Sequence, residues 1–447
     1  MSFHAINALF DSLGESVSPN SCDVVVIDGR LDHARLRAAI AQTLARHPIL
    51  CRPLGARDGI DHDLPIDLRF HALPDDAARV DAHLLAQIWD EPLDRGGRPV
   101  RFHVTETPTR TYLQTIHTHV YADATACYTL TEQLAAAYAG HVSIDDEMPA
   151  LAWPQPRLRE AVRMRLRGLA QLARDLVRPF SGLAVPAHRP GARKMTRIVL
   201  DERETAQLRR VARERGHSIH ACFQLAMLRA AHAYNAARGV DRPTVRLWDF
   251  FSLRPMLETT GPRYDCLALI YPVDLDARWS DAETTAHCAE VVQRMRGGEL
   301  AVHAQRLDSM FRAAGRRSPM PGFARLWPSL FKSNVFLTNP GVCPSTLPRF
   351  GDAPVIDYVT FPQLFAPADV MFVFSTFRDR LRIHVVHDEA AFAGEFHEGL
   401  LRPFLRELDA QAGLHLDAPM RDGFVATWTA RPAPTDKHRA LRTEAHP

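Results

Sequence analysis

A histidine followed four residues later by an aspartate can supply a base near neutral pH and a carboxylate to hold it. That spacing occurs at His71/Asp75, His119/Asp123, His141/Asp145 and His384/Asp388. In a chain with 22 histidines some such pairs arise by chance, so spacing alone selects none of them. What separates them is the element that carries each pair.

His71 lies in FHALPDDAARV, where Pro74 forces a turn and Asp75 begins a helix, a structural placement. His141 follows Gly140 in the polar stretch HVSIDDEM, which has nothing to hold a ring. His119 ends the run YLQTIHTHV, whose alternation puts Leu113, Thr115, His117 and His119 on one strand face. The chain then turns through Tyr121 and Ala122 into a helix from about Ala124 to Ala139, with Gly140 placed to end it. A strand-to-helix turn holds a side chain at the end of a rigid element, as a catalytic group requires. Asp123 also stands where a helix N-cap belongs, which is its structural alternative. RLRIHVVHDEAAFAGEF repeats strand, pair and helix around His384, so the residue pattern does not choose between His119 and His384.

Both halves of the chain mix strands and helices, an α/β composition. CDVVVIDGRL alternates as a strand and leads into a helix that Pro48 ends. RPVRFHVTET and RTYLQTIHTH follow as two strands joined by a Pro-Thr turn. The second half opens with a strand, a helix, a turn at Gly216 and a long buried helix capped by Ser218. VRLWDFF, LALIYPVDL, SNVFLT, VMFVFSTF and RLRIHVVH supply further strands. A Pro- and Gly-dense stretch at 179–195 is the expected linker between a lobe at 1–178 and a lobe at 196–430. The polar residues 431–447 form an expected flexible tail.

Composition excludes several functions. The 447 residues carry 54 basic and 52 acidic side chains, net +2, and no basic run interleaved with aromatics, so nucleic acid is not an expected partner. Seven scattered cysteines with no CxxC pair argue against a zinc knot or disulfide framework and fit a cytoplasmic location. The opening MSFHAINALFDSLGES lacks the pattern of a signal peptide, and no apolar run is long enough to span a membrane. Asp58, Asp61, His62 and Asp63 cluster in DGIDHDLPID without ligand spacing, so no metal is expected. Neither a Gly-rich phosphate loop nor a GxSxG elbow is present.

The segment HTHVYADA resembles the HHxxxDG motif of the superfamily of condensation domains and chloramphenicol-acetyltransferase-like acyltransferases. GRLDHARLRAAIAQTLARHPIL, WDEPLDRGGRPVRFHV, RGHSIHACFQLAMLRAAHAY, VRLWDFFSLRPML, SNVFLTNPGV and RIHVVHDEAAFAGEFHEGLLRPFL resemble other passages of that superfamily in the same order, over nearly all of residues 5 to 410. His119 matches the second motif histidine and Asp123 its aspartate, while Thr118 stands at the first histidine and Ala124 at the glycine. That departure weakens a peptide-condensation reading more than an acyltransferase reading. Arg254 matches the arginine that pairs with the motif aspartate, and His384 matches no catalytic position, which favours His119.

The resemblance implies two similar α/β lobes of the chloramphenicol acetyltransferase kind, with a substrate tunnel and active site at their interface. It implies an acyltransferase that moves an acyl group from a thioester to a hydroxyl or amine, with His119 as general base. Asp123 and Arg254 would be structural supports of the site. Backbone N–H groups at the start of the Asp123 helix, or the hydroxyls of Ser252 or Thr338, would face the oxyanion. His117 is expected to be a packed core residue rather than a second base. No bound cofactor is expected; acyl-CoA or a phosphopantetheinyl thioester on an acyl carrier protein would be the co-substrate, and a small alcohol or amine the acceptor. Residues 157–178 hold seven arginines, Arg159, Arg163 and Arg167 among them, against two acidic residues, with Leu158, Val162, Leu166, Leu169, Leu172 and Leu176 as an apolar face. That segment reads as a solvated helix, as a docking site for a carrier protein or coenzyme A phosphates, or as a membrane-surface contact. Two alternatives stand beside the acyltransferase: a stand-alone condensation enzyme joining carrier-bound partners, and a non-catalytic binding member of the fold.

Overall fold

The computed structural model describes residues 20–54, 59–141 (apart from 90–92, 95 and 120), separate positions within 159–170, 173–187 (apart from 176), 191–254, 264–304 (apart from 301), 331–342, 347–416 (apart from 363, 365, 366 and 415) and 425–429. The expected tail at 431–447 lies outside these residues.

The first half builds β1 (Asn20–Asp28), α1 (His33–Ala45), β2 (Leu68–Ala72), α2 (Ala77–Trp89), β3 (Val100–Glu106), β4 (Arg110–Thr118) and α3 (Ala124–Ala139). The second half builds β5 (Arg193–Val199), α4 (Glu202–Glu214), α5 (Ile219–Ala236), β6 (Thr244–Ser252), β7 (Ala268–Asp276), α6 (Asp281–Arg294), β8 (Val335–Val342), β9 (Arg349–Phe350), β10 (Ala353–Phe361), β11 (Val370–Phe377), β12 (Arg380–Asp388), α7 (Arg402–Ala412) and β13 (Val425–Thr429). Local chemistry sets most boundaries. Asp32, Asp123 and Ser218 cap α1, α3 and α5 by accepting from the backbone N–H three residues on. Asp201 with Glu204, and Ser280 with Glu283, form reciprocal capping boxes at α4 and α6. Gly140 ends α3 at φ 82°, a left-handed conformation open to glycine without strain.

Two sheets result. The first is six-stranded in the order β2-β3-β4-β1-β10-β9, the second seven-stranded in the order β13-β5-β12-β11-β8-β6-β7. Helices α1 and α3 bury Leu36, Ile40, Leu130 and Leu134 against Val25, Phe102, Val104 and Leu113 on one face of the first sheet. On the second sheet, α5 and α7 bury Phe223, Met227, Phe404 and Leu408 against Val245, Phe372, Phe374 and Val385. A third core joins the sheets: Cys22, Val24 and Ile116 pack with Val80, Leu84 and Ile88 of α2 and with Met195, Trp248, Phe336, Val373 and Val386. Apolar surface buried this way fixes the two sheets relative to each other.

Two features of the organisation depend on long-range pairing. Residues 349–361 belong by sequence to the second half, yet β10 pairs antiparallel with β1, from Cys22 opposite Phe361 to Ile27 opposite Val355. The expected linker is docked along much of its length. Leu183 N–H donates to Asn334 Oδ1 at 2.8 Å, Ala184 N–H donates to Asn235 Oδ1 at 2.7 Å, and β5 has begun by Arg193. A Cβ at Gly182 would lie 2.3 Å from Asn334 Oδ1, so close backbone approach, rather than flexibility, accounts for this glycine. No helix among the described residues is long and apolar enough to cross a membrane.

Candidate active site

β4 lies between β1 and β3, and its last residues pair on both sides: His117 faces Ser21 of β1 and Val100 of β3. Both neighbours hold the strand rigid until Thr118. The chain then turns, with Tyr121 N–H donating to the Thr118 carbonyl at 3.2 Å, and α3 begins after Asp123. His119 therefore sits between a doubly paired strand and a capped helix. It is partly exposed, whereas His117 is 2% exposed.

The second half of the chain closes around this turn. Asp123, 4% exposed, accepts from Ala126 N–H through Oδ1 and from Leu267 N–H through Oδ2, each at 2.9 Å. Arg254 Nη1 donates to the same Oδ2, and Arg254 Nη2 donates to the Asp265 carbonyl at 2.8 Å. A single carboxylate thus caps α3 and ties it to Arg254, just after β6, and to Leu267, just before β7. Breaking one partner of such a buried, hydrogen-bonded pair costs about 3–5 kcal/mol.

Cys266 Sγ lies 4.0 Å from His119 Nδ1. Burial and the nearby Asp123 and Asp265 charges push the Cys266 thiol up, so it stays protonated beside the imidazole. Burial holds His119 below the ordinary imidazole value of 6.5, and the Asp123 charge opposes that shift only in part. The balance of the two effects leaves the neutral imidazole, the form that can accept a proton, favoured at neutral pH.

The other sequence candidates have separate surroundings. His117 lies against Cys127, with Nε2 2.9 Å from Sγ, and burial pushes it down to about 3. Ser252 is exposed at the end of β6, where its Oγ accepts from Arg254 N–H at 3.2 Å. Thr338 is half-buried on β8 opposite Val373 of β11. Arg159 and Arg163 are exposed, while Arg167 lies outside the described residues. Of the apolar face expected on that segment, Leu158, Leu169, Leu172 and Leu176 lie outside the described residues, whereas Val162 and Leu166 are exposed. The segment's end is anchored by Asp175, which accepts from the buried Arg246 at 3.0 Å, and by Arg178, 2.6 Å from Asp274.

The rival pairs dissolve. His384 is 0% exposed on β12, and among the described residues neither ring nitrogen has a hydrogen-bond partner. Asp388 instead accepts from Ala390 N–H and Gly191 N–H, both at 2.9 Å. His71 stacks on His103, and Asp75 accepts from the Thr109 hydroxyl at 2.6 Å. His141 N–H donates to the Ala136 carbonyl at the end of α3, and Asp145 lies outside the described residues. Sequence reasoning missed Cys266 and Leu267, which reach the turn from more than 140 residues away in a segment without a motif.

No protein-family model matches the sequence, and no curated protein matches it. Solved structures do match over nearly the whole chain. The first condensation domain of the calcium-dependent antibiotic synthetase, in complex with substrate analogue 3a, is 18% identical, covers 96% of this chain and 98% of that chain, and has a TM-score of 0.63. The condensation domain of the Monacolin K polyketide synthase MokA is 14% identical, with 91% and 96% covered and a TM-score of 0.62. Polyketide synthase associated protein 5 from Mycobacterium tuberculosis is 17% identical, with 90% and 97% covered and a TM-score of 0.59. The protein has the two-lobed α/β fold of condensation domains.

Proposed function

We propose that this protein is an acyltransferase that moves an acyl group from a thioester to a hydroxyl or amine, with His119 as the general base. One observation carries this reading: the imidazole of His119, at the end of a doubly paired strand, sits where the Asp123–Arg254 pair draws the two halves of the chain together. His119 takes the proton from the acceptor O–H or N–H as that atom attacks the thioester carbonyl carbon. The tetrahedral intermediate then expels the thiolate, breaking the C–S bond, and the imidazolium returns its proton to sulfur. Asp123 stands in this scheme as architecture. Its oxygens are occupied by Ala126 N–H, Leu267 N–H and Arg254, which suits a carboxylate that stiffens the turn rather than one that relays protons.

The oxyanion would be met by N–H groups at the start of α3, with Ser252 or Thr338 as side-chain candidates. A tunnel between the lobes would bring donor and acceptor to His119 from opposite faces. The donor thioester would be acyl-CoA or an acyl carrier protein, with the exposed Arg159 and Arg163 available to its phosphate or acidic groups. A second reading is a free-standing condensation enzyme joining carrier-bound partners. The condensation domains among the structural neighbours favour it, and Thr118 in place of the first motif histidine weighs against it.

The test is a panel of acyl-CoA and acyl-carrier thioesters, each with mixed alcohols and amines, read by thiol release and acceptor mass. Turnover by the wild type and by His384→Ala, but not by His119→Ala, is expected. Equal turnover in His119→Ala and His384→Ala would overturn the assignment of the base. Turnover only with loaded carriers on both sides would favour the condensation reading.

A further inference from the structure

Three side chains from three elements meet beneath the turn that carries His119. They are Asp23 of β1, His117 of β4 and Cys127 of α3, with one ligand atom from each within 4.8 Å of the other two. The register places them. Asp23 lies opposite Thr115 on β4 and Thr360 on β10, so it shares a sheet face with His117 two residues further along β4. The first turns of α3 cover that face and bring Cys127 down onto it.

Asp23 is 2% exposed and accepts from Thr360 Oγ1 at 2.8 Å, and among the described residues no ion pair reaches it. Burial pushes the Asp23 carboxyl up to about 7, because its ionised form there lacks a compensating positive charge that a bound cation would supply. Carboxylate oxygen, imidazole nitrogen and cysteine sulfur together form a donor set suited to zinc. Tyr264 belongs to the same buried core as Cys127, and its hydroxyl has no hydrogen-bond partner among the described residues. His117 Nε2 and Nδ1 lie 2.9 and 3.5 Å from Cys127 Sγ. Ligands on a tetrahedral zinc ion, with bonds of about 2.0–2.3 Å, stand roughly 3.5 Å apart.

We propose that Asp23, His117 and Cys127 form a structural Zn²⁺ site, with water or the Tyr264 hydroxyl in the fourth position. The ion takes Cys127 as thiolate, Asp23 as carboxylate and His117 as neutral imidazole, and the displaced protons pass to solvent. Two negative ligands then balance the divalent ion, leaving a neutral buried centre. Thr360 orients the carboxylate from outside the ligand set, as groups surrounding metal sites commonly do. His117 precedes His119 by two residues and Cys127 follows Asp123 by four, so the ion would clamp both ends of the catalytic turn. The sequence gives no hint of the site because its donors lie on three separate elements without ligand spacing.

The test uses the full-length, untagged chain, washed with chelator, incubated with Zn²⁺ and gel-filtered before metal analysis, with parallel Co²⁺ substitution. The expected result is a single tightly held equivalent, a cobalt–thiolate charge-transfer band, and a melting temperature that rises with Zn²⁺. Cys127→Ser and Asp23→Asn lose the band, whereas His119→Ala keeps it. Because Cys127→Ser can fail to fold, the wild-type cobalt band and the isosteric Asp23→Asn carry the decision. Failure of the wild type to take up stoichiometric metal, uptake without a thiolate band, or a band that survives in folded Cys127→Ser would each overturn the proposal. None of these readouts depends on acyl transfer.

Discussion

At the scale of single residues, the proposed mechanism assigns chemistry to His119 and architecture to Asp123, and their variants should separate accordingly. His119→Ala should lower kcat/KM by roughly 10²–10⁴-fold while leaving the melting temperature nearly unchanged. Because burial holds His119 below 6.5, the acid limb of the kcat/KM profile should fall below that value, with a plateau through neutrality. A limb above 6.5 would mean that some other group titrates. Asp123→Ala removes both a helix cap and the partner of Arg254, and should destabilise by about 3–5 kcal/mol. Arg254→Ala should do nearly as much, and the double variant much less than the sum, as measured by urea unfolding in a double-mutant cycle. Full additivity would show that the pair is not coupled. The contact between Asp123 and Arg254 was legible from the order of their segments along the chain. Cys266, Tyr264 and Asp23 were not, because nothing in their local sequence records which distant strand they will face.

At the scale of elements, patterns that depend on near neighbours were legible and long-range docking was not. α3 spans Ala124–Ala139 as its cap and terminal glycine predict, since both signals act within one turn. The stretch expected as a linker is instead held by Asn334 and Asn235, partners its own sequence cannot name. β12 shows the other kind of misdirection, a His-xxx-Asp pair whose histidine points into the core. Burial, with Arg197 and Arg382 nearby, pushes His384 down to about 3 from its ordinary 6.5. Between those values the unfolded chain binds a proton that the folded chain refuses, so His384 makes stability rise with pH across that window. The contribution is lost as pH falls from 6.5 towards 3, at on the order of 1 kcal/mol per pH unit. His384→Leu should therefore flatten the decline of melting temperature between pH 6.5 and 4 and leave the value at pH 8 unchanged or higher. An unchanged slope would show that His384 does not titrate across the unfolding transition.

At the scale of the whole molecule, the two halves are not independent. β10 completes the first sheet beside β1, and the third core draws side chains from both sheets. Residues 1–178 expressed alone should be insoluble or poorly structured, because β1 would keep one edge unpaired and the core around Cys22, Val24, Ile116 and α2 would lose Met195, Trp248, Phe336, Val373 and Val386. Co-expression with the remainder should restore solubility and native circular dichroism. A soluble, cooperatively folding 1–178 fragment would contradict this account. The hydrogen bond from Thr360 to Asp23 spans 337 positions of chain. At synthesis rates of about 5–20 residues per second, β1 waits on the order of 20–70 s on the ribosome for the strand that completes its pairing. During that interval a strand rich in valine and isoleucine has an open edge, which makes nascent-chain aggregation, rather than thermal unfolding of the finished protein, the hazard that a cell must manage.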